Sequence, residues 1–133
     1  MRCFIDANVL ISAGLFPEST PAKALEKALA PPNEAIVSDY ALDEVHRVTS
    51  IKFPHKMRDL EAFLYRTMFS ARLVITPAED AEDEEKVSDA GDRPILRGAL
   101  AAGADVLITG DKGLLVTDVS TPRIINPAEF LNM

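Results

Sequence analysis

Short runs of consecutive hydrophobic residues alternate along the chain with segments whose hydrophobic residues are three or four positions apart. The continuous runs predict buried strands, because a strand that is covered on both faces has no polar side. The predicted strands are residues 2–5, 35–37, 73–75, 106–109 and 124–125. The segments between them have the spacing of amphipathic helices. This alternation predicts an α/β fold, a three-layer sandwich around a mostly parallel sheet of about five strands.

Capping residues, prolines and glycines predict where several helices begin and end. Thr20-Pro21 predicts a helix start, since Pro is favoured at the first helical position, and Ser38 predicts a second start. Gly14 and Pro17 predict the end of the first helix, and Gly103 predicts the end of a helix that opens near Asp92.

Composition predicts one globular domain spanning residues 1–133. The chain is 47% hydrophobic and 26% charged, and its length suits a single core. No apolar run approaches the ~20 residues that cross a bilayer, and the N-terminus lacks the long apolar stretch of a signal peptide. The single cysteine, Cys3, has no partner for an internal disulfide. We therefore expect a cytoplasmic protein.

The formal net charge of −7 is distributed unevenly. Residues 76–92 carry eight acids against one lysine, whereas residues 43–75 carry six bases against four acids. Without the acidic segment the chain is neutral, so net charge neither excludes nor favours a polyanionic substrate. The run of acids at 79–85 has no apolar periodicity and predicts a solvated loop or short helix.

Four acidic residues follow or face the ends of predicted strands: Asp6, Glu44, Asp92 and Asp111. The carboxyl ends of parallel strands meet at one edge of a sheet, and helices that follow strands begin there. All four carboxylates are therefore able to reach that edge. Several carboxylates in one pocket repel one another unless a cation lies among them.

Around these positions the sequence resembles the PIN domain family, specifically the group related to the VapC toxins of toxin–antitoxin systems. The motifs that carry the resemblance extend over nearly the whole chain, and the last is the most specific. They are Phe4-Ile-Asp-Ala-Asn-Val-Leu-Ile-Ser-Ala, Val37-Ser-Asp-Tyr-Ala-Leu-Asp-Glu-Val, Asp89-Ala-Gly-Asp-Arg-Pro-Ile-Leu and Ala101-Ala-Gly-Ala-Asp-Val-Leu-Ile-Thr-Gly-Asp-Lys-Gly-Leu-Leu. Ala7 departs from the family pattern, in which Thr is common, at a position that is not a ligand.

The resemblance implies a metal-dependent endoribonuclease that hydrolyses RNA phosphodiester bonds and leaves 5′-phosphate and 3′-hydroxyl ends. Asp6, Glu44, Asp92 and Asp111 would be the catalytic residues and the ligands of Mg²⁺ or Mn²⁺, hard cations that prefer oxygen. Residues expected to support the site are Asn8, Thr109 and Asp89, of which Asp89 also competes with Asp92 for the ligand role. Residues expected to hold the RNA backbone are Arg47, Lys52, Lys56 and Arg58.

The resemblance also implies partners. A toxin of this kind is held inactive by a cognate antitoxin protein, which would place a helix or an arginine near the acidic residues. Homodimerisation is common in the family, and the amphipathic helix predicted at 57–68 is a surface through which it would occur.

Two other functions stay open at this level. A non-catalytic PIN-like RNA-binding module would have the same fold, although the complete set of acids argues against it. An aspartyl-phosphatase of the haloacid dehalogenase type also begins with a strand that ends in Asp. That chemistry needs a second Asp two residues later, where this chain has Asn8.

Overall fold

A computed structural model describes all 133 residues and contains one five-stranded sheet. Its strands are β1 (Arg2–Ile5), β2 (Glu34–Ser38), β3 (Arg72–Val74), β4 (Val106–Ile108) and β5 (Arg123–Ile125). Their order across the sheet is β3-β2-β1-β4-β5, and every neighbouring pair is parallel. The predicted sheet is therefore confirmed, with all of its strands parallel.

Seven α-helices connect and follow the strands. They are α1 (Ala7–Leu15), α2 (Thr20–Leu29), α3 (Asp39–Lys52), α4 (Met57–Thr67), α5 (Arg93–Ala101), α6 (Lys112–Leu115) and α7 (Pro127–Leu131). Single 3-10 turns lie at Pro54–Lys56, Glu84–Lys86 and Ala90–Asp92. None of the helices has the combination of length and apolar sequence that a membrane crossing requires.

The inner strands are covered on both faces. Consecutive residues of a strand point to opposite faces, yet Cys3, Phe4 and Ile5 of β1 are all fully buried, as are Ala35, Ile36 and Val37 of β2. Helices must therefore pack on both sides of the sheet, which gives the predicted three layers. The two edge strands are partly exposed.

The position of β1 in the sheet defines where a site is expected. Strands β2 and β3 extend the sheet on one side of β1, and β4 and β5 extend it on the other, so the direction of winding reverses between β1 and β4. In open parallel sheets a crevice forms outside the carboxyl ends of the strands at this reversal. Ile5 and Ile108 are paired at those ends.

Two local predictions hold only in part. Helix α1 ends at Leu15, between Gly14 and Pro17 as predicted, but Gly14 itself lies inside the helix. A Cβ at Gly14 would lie 2.5 Å from Leu60 Cδ2, so the glycine instead permits the close approach of α1 and α4. The acidic run is not uniformly solvated, because Glu84 is only 5% exposed and accepts two hydrogen bonds of 2.9 Å from Arg97 of α5.

Candidate active site at the carboxyl edge of the sheet

A hydrogen-bonded triangle joins the residues that follow β1 and β4. The Thr109 hydroxyl donates to Asp6 Oδ2 over 2.7 Å. Asn8 Nδ2 donates both to Asp6 Oδ2, over 3.1 Å, and to Thr109 Oγ1, over 3.3 Å. Asp6 Oδ1 accepts the Ala7 N–H, so Asp6 also caps α1. Asp6, Asn8 and Thr109, which the sequence grouped together, are in direct contact.

Asp111 is fixed to the same triangle through its backbone. Its N–H donates to Thr109 Oγ1 over 3.0 Å, and the Gly110 N–H donates to Asn8 Oδ1 over 3.0 Å. The Asp111 carboxylate caps α6, since its Oδ2 accepts the Leu114 N–H. Asp111 therefore starts α6 and lies close enough to Asp6 for its charge to act on that carboxylate.

Asp92 differs from the other acids because it makes no capping hydrogen bond, although it is the first residue before α5. Burial first, and then the negative charges of Asp111, Asp89, Asp6 and Glu44, together raise its pKa from the ordinary 3.8 to about 6. Asp89 is exposed, and its Oδ1 accepts the Gly91 N–H. Of these two acids, Asp92 is therefore the more buried and Asp89 the more exposed.

Glu44 lies one turn into α3, and its side chain is 25% exposed. Its Oε1 accepts a hydrogen bond of 3.2 Å from Arg47 Nη2. Tyr40, one turn earlier on the same face, donates its hydroxyl to the Gly91 carbonyl over 2.5 Å. This bond ties α3 to the turn that leads into Asp92, and the sequence reading missed it. The spacing of four between Tyr40 and Glu44 was the available signal.

The four predicted acids share one electrostatic environment. Burial raises the pKa of Asp6, and the charges of Glu44 and Asp111 raise it as well, while the hydrogen bonds from Thr109 and the Ala7 N–H act in the opposite direction. The acids do not, however, form a closed metal cage in this conformation. No three Asp, Glu, His or Cys side chains converge tightly enough to hold one metal ion together.

The four basic residues predicted to hold RNA do not lie together at this edge. Arg47 is beside Glu44 and largely exposed. Lys52 is the last residue of α3, eight positions and thus about 12 Å along the helix from Glu44. Lys56 lies in the 3-10 turn that follows, 4.0 Å from Asp59, and Arg58 is in the first turn of α4. No hydrogen bond or ion pair joins Lys52, Lys56 or Arg58 to the four acids, so of the four bases only Arg47 contacts the site.

Comparison with known proteins agrees with this architecture. The family model described as PIN domain matches residues 2–113. This range includes all four acids and the carboxyl ends of β1 and β4, which border the crevice. The chain belongs to the PIN domain family. Among curated proteins, none matches the sequence.

The PIN domain also resembles a solved structure, VapBC2 from Rickettsia felis bound to a DNA fragment from their promoter. The TM-score is 0.71 at 15% sequence identity, and the match covers 95% of this chain and 98% of the other. At this identity the likeness concerns the fold, whose α/β architecture with a parallel sheet is shared.

PIN domains are generally nucleases, so membership supports a hydrolase acting on nucleic acid. Within this PIN domain Asp6 and Asp111 follow β1 and β4 at the crevice where the topology predicts a functional site, and Glu44 and Asp92 are near enough for their charges to act on Asp6 or on each other. The donor set consists of carboxylates, which suit hard divalent cations.

Proposed function

We propose that this PIN domain, as one domain over residues 1–133, is an endoribonuclease that depends on Mg²⁺ or Mn²⁺. The observation that carries the proposal is Asp92. Its carboxylate is enclosed beside three other acids and a fourth, Asp89, and nothing in the protein bonds to it as a cap. A carboxylate in such surroundings is stabilised in its charged form by a cation.

Asp6, Glu44, Asp92 and Asp111 are the residues that would hold the cation. Bound there, a divalent ion would supply Lewis-acid stabilisation of the phosphate and lower the pKa of a water molecule. Since no three of these acids converge on one point at present, side chains would have to rotate for all four to ligate. Asp89 is the alternative to Asp92 in this set.

The protein's own residues contribute position and charge. Thr109 and Asn8 both donate to Asp6 Oδ2, which restricts the orientation of the Asp6 carboxylate. Arg47, on the rim, is placed to contact a phosphate beside the acids. Lys52, Lys56 and Arg58 would contact RNA only some distance from the cleaved bond, along the length of α3.

The geometry argues against the phosphatase alternative. A phosphatase of the haloacid dehalogenase type uses the residue two after the first Asp as a proton donor and acceptor. Asn8 has no titratable proton, and its amide is already bonded to Asp6, Thr109 and the Gly110 N–H. Trapping an acyl-phosphate on Asp6 would overturn this argument.

The experiment that tests the activity compares wild type with Asp6→Asn, both purified free of any partner, on a labelled single-stranded RNA. We expect wild type to cleave the RNA in Mg²⁺ or Mn²⁺ and not in EDTA. The cleavage rate of Asp6→Asn should be at least about 100-fold lower, because the substitution removes a group that orients metal and substrate. Equal activity of the two proteins would mean a contaminating nuclease and would defeat the proposal. A matched DNA of the same sequence shows whether the sugar is recognised.

We also propose that the protein is the toxin of a toxin–antitoxin pair in the cytoplasm. The fold shared with a VapC-containing complex supports this. A cognate antitoxin would neutralise the acids with an arginine, because four clustered carboxylates attract a guanidinium. Growth arrest on expression, relieved by the neighbouring gene product and absent for Asp6→Asn, is the expected result. No growth effect from the active protein would contradict the toxin role.

A homodimer through α4 is a further part of the proposal. Tyr65 and Phe69 stack edge to face, with ring centroids 5.2 Å apart, and are 70% and 76% exposed. Exposed aromatic pairs of this kind are typical of association surfaces. Light scattering should give twice the monomer mass for wild type and the monomer mass for Tyr65→Asp; a monomeric wild type would contradict the dimer.

A further inference from the structure

A cavity of about 630 Å³ opens beside the acidic residues. Asn8, Gly110 and Asp111 form the wall that it shares with the site, so its contents would lie next to any phosphate bound there. The opposite walls come from the second turn of α1 at Ser12, the start of α2 at Thr20 and the start of α7 at Asn126 and Ala128. Its size is in the range of roughly 300–1,000 Å³ that small-molecule pockets have.

The charge of the lining excludes a simple phosphate site. None of the ten lining residues is Lys, Arg or His, and the one charged residue, Asp111, repels anions. The helix starts offer few donors, because the caps Ser19 and Asn126 each take up one N–H of the first turn and each first turn also contains a Pro, which has no N–H. A neutral group with several hydrogen-bonding atoms fits these walls better than an anion.

Two hydroxyl groups in the lining have no partner in the protein. Two hydroxyls elsewhere do bond to the turn before them, that of Thr67 to the Phe63 carbonyl and that of Thr117 to the Gly113 carbonyl. The hydroxyls of Ser12 and Thr20, which line the cavity, make no such bond. They are free to donate to and accept from a ligand.

We propose that this cavity is a subsite that receives one unstacked nucleoside of the RNA strand, its base and ribose, next to the phosphate that is cut. The proposal rests on the proposed function, because it is the acidic edge that would hold the phosphate. Unstacked bases are recognised through hydrogen bonds to their edges and to the ribose 2′-hydroxyl. Asn8 is bonded within the protein, so the hydroxyls of Ser12 and Thr20 and the unbonded Nδ2 of Asn126 are the side-chain groups left to read the nucleoside.

The subsite is tested with uncharged nucleosides, which need neither metal nor catalysis to bind. Adenosine, guanosine, cytidine and uridine are titrated separately into ¹⁵N-labelled protein, and the amide resonances of Ser12, Gly110 and Ala128 are followed. At least one nucleoside should shift them in a saturable manner. Ser12→Ala should weaken this binding about three- to tenfold, the usual effect of one hydrogen bond.

A second variant removes the space and leaves the acids unchanged. Ala128→Tyr places a ring in the cavity and should weaken nucleoside binding at least about tenfold. Ala101→Tyr, at an exposed position at the end of α5, is the matched control and should bind as wild type does. The bound nucleoside should also inhibit RNA cleavage competitively, and Ala128→Tyr should lose base preference at one position beside the cut.

The outcomes separate the two proposals. If no nucleoside shifts the three amides at about 10 mM, or if Ala128→Tyr binds as wild type does, the subsite does not exist. If a nucleoside binds but leaves cleavage of RNA unaffected, the cavity is not a substrate subsite and the inference is overturned. If nucleosides bind with the expected variant effects and the protein cuts no RNA under any metal, the nuclease proposal fails while the nucleoside pocket stands.

Discussion

The Thr109 hydroxyl donates a hydrogen bond of 2.7 Å to Asp6 Oδ2, which joins the end of β4 to the end of β1 at the crevice. Asp6 is only 5% exposed and Thr109 is fully buried, so water does not compete for either group. Hydrogen bonds to a buried charged group are among the stronger ones in proteins. This bond therefore both stabilises the fold and orients the carboxylate.

Replacing Thr109 with Val keeps the shape of the side chain, removes the donor to Asp6 and also removes the acceptor of the Asn8 Nδ2 and Asp111 N–H groups. We expect a loss of about 1–3 kcal/mol in the free energy of unfolding, because the Asp6 carboxylate remains buried with one partner fewer. RNA cleavage should fall by about 10- to 100-fold, the usual effect when a residue that supports a metal ligand is lost. Urea denaturation and a cleavage assay measure the two effects.

Thr49→Val is the matched control for that substitution. The Thr49 hydroxyl is buried in α3 and has no hydrogen-bond partner, so its replacement removes an unsatisfied polar atom. The variant should be as stable as wild type or more stable. A Thr49→Val loss as large as that of Thr109→Val would show that volume, and not the bond to Asp6, determines the result.

Asp92→Asn should abolish cleavage and increase stability when no divalent cation is present. The folded pKa of Asp92, about 6, lies above its ordinary 3.8. The folded state therefore holds the proton more tightly than the unfolded state does. Ionisation of Asp92 lowers the free energy of unfolding as pH rises from about 4 to about 6, and the loss is complete above that pH. Asn removes that cost, so its urea midpoint at neutral pH should exceed that of wild type in EDTA.

Asp89→Asn is the comparison that assigns the ligand. Asp89 is exposed and bonds to the Gly91 N–H, so its loss should reduce cleavage far less than the loss of Asp92. If Asp89→Asn is inactive and Asp92→Asn is active, the roles of the two residues must be exchanged.

Tyr40→Phe tests the link between α3 and the turn before Asp92. Without the hydroxyl, the Gly91 carbonyl loses a donor and the turn is less restrained. Cleavage should fall about threefold to tenfold while RNA binding is kept, because only the position of Asp92 changes. A variant that cuts at the wild-type rate would show that Tyr40 does not position the site.

The sequence predicts most of the fold because its signals are local. Ser38 caps α3 as expected, and Gly103 has the positive φ of +66° that favours glycine at a helix end. The reversal of winding between β1 and β4 depends on strand order, which periodicity does not contain. Asp6 and Thr109 are 103 positions apart, and the sequence placed both near the site through motifs alone.

What the sequence missed depends on long-range burial. Glu84 belongs to a run of acids that looks solvated, but Arg97, 13 positions later, draws it into the structure with two hydrogen bonds of 2.9 Å. A prediction from composition assigns the same exposure to every acid in the run, so it does not identify Glu84 as the buried one. The same holds for the cavity, whose walls come from three helices and one loop.

The Glu84–Arg97 pair predicts a specific acid sensitivity. The hydrogen bonds from Arg97 hold the pKa of Glu84 below its ordinary 4.5. The pair's contribution to stability is therefore complete above pH 4.5 and is lost as pH falls through the lower folded value. Glu84→Gln should be less stable than wild type at neutral pH, and the difference should shrink on acidification, as measured by melting temperature across pH.

Arg72 and Glu34 form the control pair. Their side chains are 50% and 48% exposed and 3.4 Å apart, so water screens the interaction. Glu34→Gln should change the melting temperature by no more than about 2 °C at any pH. A Glu84→Gln variant with an equally small, pH-independent effect would show that Arg97 does not stabilise the acidic segment.

The most direct test of the account is a Mn²⁺-soaked crystal examined by anomalous scattering. We predict one or two peaks at the β1–β4 crevice, with Asp6 and Asp92 oxygens among the ligands and Glu44 or Asp111 turned from their present hydrogen bonds. Asp92→Asn should lose or weaken the peak. A map without a peak at this edge, or with manganese bound elsewhere in a protein that cuts RNA, would contradict the central claim.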